Sequence, residues 1–105
     1  MKTFALADSR EFSDKGFTRF QVHNSPYFKS LNFNLKAGQV FPVHSHDIEG
    51  ELAIVVIEGE GDFLGADDAA IAAKTGDILL SAIAEPHGVR ATTDMRILVF
   101  IAPPI

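Results

Sequence analysis

His44 and His46 stand one residue apart, with a carboxylate five positions further on at Glu51 and a separate histidine at His87. Side chains at i and i+2 of a strand leave on the same face, so a strand through this pair would aim both imidazoles at one point. The chain has no cysteine. A metal site would therefore be built from imidazole nitrogen and carboxylate oxygen, a ligand set that suits Zn, Fe, Ni, Mn or Cu. His23 belongs to no such grouping, and a lone histidine is expected at the surface or as a hydrogen-bonded core residue.

The elements that must position these residues read as strands. From Ser30 to Lys36 the pattern alternates, with Leu31, Phe33 and Leu35 on one face and Ser30, Asn32, Asn34 and Lys36 on the other, which predicts a half-buried strand. Ala37-Gly38 makes a turn. The next strand is expected over Val40 to His46, and Pro42 places it at a sheet edge or a bend. A polar loop from Asp47 to Gly50 leads into Leu52 to Ile57, closed by Glu58-Gly59-Glu60-Gly61. Turn signals follow at Gly65-Ala66-Asp67-Asp68 and Lys74-Thr75-Gly76-Asp77. Ile78 to Leu80, His87 to Ala91 and Arg96 to Ile101 are further expected strands, and Phe17 to His23 supplies one beside them. Ala69 to Lys74 is the only stretch with a weak helical character. Many short strands separated by Gly- and Asp-rich turns predict an all-β sandwich or barrel.

A chain of 105 residues holds one domain. Its net charge of −5, with nine Lys and Arg scattered along it, argues against nucleic acid, whose phosphates need a basic face. No charge run suggests a membrane partner. Phe4 to Ala7 is followed at once by Asp8, Arg10 and Glu11, too short for a signal-peptide core, and no 18-residue apolar run occurs. A soluble, cytoplasmic protein is the expectation. Leu52 to Ile57 and Ile97 to Ile101 are apolar on both faces, so something must cover their outer side. A homodimer packed sheet on sheet is expected there, with the N-terminal segment as the alternative cover.

Two stretches together resemble a known family. Gly38, His44-Ser45-His46, Glu51 and Gly59 look like the first motif of the cupins, and Gly76-Asp77 with His87 eleven positions after the glycine looks like the second. The chain is thus similar to the small single-domain cupins of the cupin 2 type. The resemblance implies a double-stranded β-helix, or jelly-roll barrel, over residues 25–105, with motif 1 at 38–59, motif 2 at 76–91 and an N-terminal strand segment at 1–24. It also implies a divalent transition metal (Fe, Zn, Ni or Mn) held by His44, His46, Glu51 and His87.

Three departures bear on that ligand set. Glu51 precedes Gly59 by eight positions where the family usually has seven, and period-2 parity then turns Glu51 outward unless a bulge absorbs the extra residue. Glu49 or Asp47 could reach inward instead, or the site could be three histidines and water. Ala82 and Ala84 stand where the family usually has proline and glycine, which shape a loop. Ala91 stands where it commonly has asparagine, so the hydrogen bonds that orient the ligands must come from elsewhere.

Around the site the sequence places apolar side chains: Leu31, Phe33, Phe41, Ile54 and Val56 from facing strands, with Ile78, Leu80, Ala82, Ile83, Ala84 and Val89 around the second motif. Phe33, Phe41, Ile54 and Val56 are the expected pocket residues. No cluster of Lys or Arg appears among them, which argues against sugar-phosphate or nucleotide-sugar substrates. Glu85, the one nearby acid, is expected in a solvent-facing loop, and no catalytic residue is assigned. The expected function is a metal-dependent, oxygenase-like enzyme for a small, largely apolar or planar organic substrate. The alternative is a non-catalytic barrel that holds a metal or senses a small ligand.

Overall fold

The structure, a computed structural model, describes all 105 residues. Nine strands follow in order: β1 (Thr18–Asn24), β2 (Lys29–Leu35), β3 (Val40–His44), β4 (Glu51–Glu58), β5 (Glu60–Leu64), β6 (Ala70–Lys74), β7 (Ile78–Ala82), β8 (His87–Ala91) and β9 (Met95–Ala102). They form a five-stranded sheet in the order β1-β2-β9-β4-β7 and a four-stranded sheet in the order β3-β8-β5-β6. Every pairing is antiparallel. This is the double-stranded β-helix that the two motifs implied, and no helix is long and apolar enough to cross a membrane.

Alternation decides which side chains fill it. Leu31, Phe33 and Leu35 of β2, Leu52, Ile54 and Val56 of β4, and Ile97 and Val99 of β9 are buried. They lie opposite one another in register, so the larger sheet presents one continuous apolar row to the core. Phe63, Val89 and Ala91 answer from the smaller sheet. Residues 70–74 are extended despite three alanines, because β5 offers an open edge and pairs Phe63 with Ile71 and Gly61 with Ala73. Tertiary pairing overrides a weak local preference.

The polar row of β2 is not in water as expected: Ser30, Asn32 and Asn34 are buried. A 3-10 turn at Leu6–Ser9 lies over them, where Ser9 Oγ donates to Asn32 Oδ1 at 2.7 Å and Asn34 Nδ2 donates to the Ser9 carbonyl at 2.7 Å. Arg96, buried beneath the same segment, donates from Nε to Asn34 Oδ1 at 2.8 Å and from Nη2 to the Leu6 carbonyl at 2.5 Å. Pairing is what permits the burial of Asn32, Asn34 and Arg96, whereas the Ser30 hydroxyl is buried without a partner. The N-terminal segment thus covers one end of the outer face. At the other end Ile78 and Leu80 are 57% and 75% exposed, and Phe100 on β9 39%.

Candidate functional site

Strands β3 and β8 bring two of the histidines together. His44 and His87 are opposite one another in register, after an irregularity in β3 between Phe41 and His44. Pro42, which has no N–H to give to a ladder, sits in that irregularity, and β3 is the edge strand that Pro42 predicted. Gly88 lets the two strands close: a Cβ there would lie 2.7 Å from the Phe41 carbonyl oxygen and 2.8 Å from the Val43 nitrogen. The rings of His44 and His87 are 4.6 Å apart between centroids, and those of His44 and His46 5.6 Å apart.

His46 reaches this place differently from the expected route. Strand β3 ends at His44, so His46 is not its i+2 neighbour on a strand. Instead its main-chain N–H donates to the Ile83 carbonyl at 3.2 Å, which ties the turn after β3 to the loop before β8.

Two of the rings have fixed tautomers. His44 Nδ1 is 2.8 Å from the Pro42 carbonyl oxygen and His87 Nδ1 is 2.7 Å from that of Glu85. A carbonyl only accepts, so each Nδ1 carries a proton, and in the neutral ring the lone pair is on Nε2. These contacts supply the orientation that Ala91, buried in the core row, cannot. His87 is 4% exposed, and burial pushes its pKa below the ordinary imidazole value. The Glu85 hydrogen bond opposes that shift, whereas the His44 and His46 charges add to it. The neutral, ligating form is favoured.

The rings border a cavity of about 230 Å³. Phe33, Phe41 and Ile54 line it as expected, joined by Leu52 and Ile83. Val56 does not line it and is packed in the core. Ile78 and Leu80 are also displaced from the expected neighbourhood. They lie opposite Val55 and Ala53, on the outer row of β4, because parity sends Leu79 inward. A wider hollow of about 400 Å³ over β5 and β6 contains no histidine.

Glu51 is not brought to the histidines. It is exposed at the start of β4, opposite Ala82 and Ala102, and takes no part in the cavity lining. A bulge is present in β4, but between Val56 and Glu58. It changes the alignment toward Gly59 and leaves Glu51 on the outward row. Asp47 and Glu49 are exposed too and outside the lining, and Glu85 is exposed as expected. The donor set gathered here is three imidazoles, which suits the borderline transition metals. As the side chains stand, no three His, Asp or Glu groups adopt metal-ligand geometry.

Arg19 and Lys29 line the same cavity, although no cluster of Lys or Arg was expected among its residues. They come from β1 and β2, before the first motif, so motif spacing carried no signal for them. Strand parity did: Lys29 continues the row Leu31, Phe33, Leu35.

A family model described as Cupin domain matches residues 31–101. Among solved structures, the chain is similar to an RmlC-like cupin protein from Desulfovibrio desulfuricans, with 55% identity over 100% of this chain and 99% of that one, at a TM-score of 0.96. It is similar in fold to an uncharacterized double-stranded β-helix protein from Klebsiella pneumoniae, at 20% identity over 98% of this chain and 90% of that one, TM-score 0.89. A salicylate 1,2-dioxygenase from Pseudoaminobacter salicylatoxidans, in complex with gentisate, shares the fold at 16% identity and a TM-score of 0.74, over 92% of this chain and 28% of that one. No curated protein matches the chain.

Proposed function

We propose, since the chain belongs to the cupin family, that its three-histidine cavity holds a divalent transition metal and serves a metal-dependent, oxygenase-like enzyme acting on a small organic molecule. The observation that carries this is the pair of carbonyl contacts at His44 and His87. They leave two Nε2 lone pairs beside one cavity with a third imidazole next to them. His44, His46 and His87 would hold the ion, one of Fe, Zn, Ni or Mn. A metal bound by three neutral imidazoles supplies Lewis-acid polarisation or dioxygen activation, with positions left for substrate.

The protein's own contribution is positioning and exclusion of water. The Pro42 and Glu85 carbonyls hold the rings in orientation, while Phe33, Phe41 and Ile54 keep the cavity apolar. The salicylate 1,2-dioxygenase that shares the fold is a precedent for oxygen chemistry in such a barrel. A non-catalytic sensor is the second reading, favoured by one observation: no carboxylate lines the cavity, so none is there to act as general acid or base beside histidines that hold the ion. In either case the proposed form is a cytoplasmic homodimer.

Elemental analysis of untagged protein tests the metal. Near-stoichiometric transition metal is expected, abolished by His44→Ala and by His87→Ala, and metal retained in both variants overturns the site. Oxygen uptake by the Fe-loaded protein with catechols, thiols or diketones separates the enzyme from the sensor. Turnover supports the first, and tight binding without turnover the second.

A further inference from the structure

We infer that the cavity's ligand is an organic anion, a carboxylate on a compact apolar body, whose charge is met by Arg19 and Lys29. This rests on the three-histidine cavity being the working site, though not on which metal it holds.

Both cations lie on the cavity side of the larger sheet, Arg19 exposed at its rim and Lys29 half-buried. Arg19 lies opposite Phe33, and Lys29 lies opposite Ile101. Residues directly opposite one another in a ladder share a face. Both side chains therefore leave the sheet on the side of the cavity, and both line it.

Neither charge is paired with an Asp or Glu side chain. The ion pairs of the protein are Arg10–Glu58, Lys36–Asp14 and Arg90–Asp62, and neither Arg19 nor Lys29 belongs to one. The chain carries 14 acidic residues against nine Lys and Arg, yet no Asp or Glu lines this cavity. A molecule that is negative overall has placed two cations and no Asp or Glu around its histidines. A cleft lined by one sign of charge attracts ligands of the other.

Lys29 already holds an oxygen at this place. Its Nζ donates to the main-chain oxygen of Ile105 at 2.6 Å, and Ile105 itself borders the cavity. An acceptor oxygen beside an apolar side chain is what a carboxylate on a hydrocarbon body would present. Two further facts narrow the class. Nine of the 14 lining residues are hydrophobic, which suits an apolar body. About 230 Å³ is also below the roughly 300–1,000 Å³ of sites for drug-sized ligands. A phosphate would want a helix N-terminus or a cradle of backbone N–H groups, and no helix N-terminus lines the cavity.

NMR titration tests this, following the ring protons of His44 and His87 in chelator-treated and in zinc-supplemented protein. The probes are acetate, butyrate, benzoate, benzamide and inorganic phosphate. At least one carboxylate is expected to bind, with benzoate at least about tenfold tighter than its neutral isostere benzamide. Arg19→Gln and Lys29→Gln are each expected to weaken the carboxylate by about tenfold without changing zinc uptake. Equal binding of benzoate and benzamide overturns the inference, as do tighter binding of phosphate, silence of every carboxylate, or full affinity in both variants. If zinc fails to bind while carboxylates still depend on Arg19 and Lys29, the metal proposal falls and this one stands. Stoichiometric zinc with no carboxylate response has the opposite meaning.

Discussion

An imidazole whose Nδ1–H is taken by a main-chain carbonyl can turn only its Nε2 lone pair to a ligand, and His44 and His87 are both held this way. Glu51, exposed on the other face of β4, has no such role. Glu51→Gln should therefore leave metal stoichiometry unchanged by elemental analysis, and loss of the metal would put a carboxylate back in the ligand set. His87 also makes a pH prediction. Burial holds its folded pKa below the ordinary value, so between those two values the unfolded chain binds a proton that the folded one refuses. This contribution is intact above the ordinary imidazole range and declines as pH falls through that range toward the lower folded value. Thermal melts of chelator-treated protein should lose stability across that window, and His87→Gln should flatten the loss. An unchanged slope in the variant would assign the acid sensitivity elsewhere. The three histidines were legible as a group because their positions fall on two motif spacings. Their tautomers were not, since Pro42 and Glu85 present their carbonyls only through the local chain path.

Among the elements, β3 and β8 matter most to the site, and their separation is set by a residue with no side chain. Gly88→Ala places a methyl within 3 Å of β3 backbone, which the strands can relieve only by moving apart. A loss of about 1–3 kcal/mol is expected in denaturant melts, together with weaker metal retention as His44 and His87 separate. Wild-type stability and metal content in this variant would show that β3 yields freely. Expected strands such as His87 to Ala91 coincide with observed ones because alternation and flanking turns both mark them. Strand β6 was obscured, since Ala70 to Lys74 is extended only through its ladder to β5. For the same reason the position of His46 escaped the strand argument. The early end of β3 at His44 is an outcome of pairing with β8, which no local pattern encodes, whereas Pro42 marks the irregularity beside it.

At the scale of the whole molecule, the runs that were apolar on both faces raise the question of cover. The N-terminal segment answers part of it, with Leu6–Ser9 clamped over Asn32, Asn34 and Arg96. It leaves the far end open, where Val55 and Ala53 of β4 lie opposite Ile78 and Leu80 of β7, and Ala53 also lies opposite Phe100 of β9. A second copy packed about a two-fold axis would bury such a face against itself, the commonest way that identical chains associate. Light scattering is then expected to give twice the 11.4 kDa chain mass. Leu80→Asp, whose side chain projects outward from an already exposed position, should convert the protein to monomer with its circular dichroism and metal content unchanged. A wild-type mass of one chain would show that this face stays in water, because a carboxylate added to a face already solvated can separate nothing.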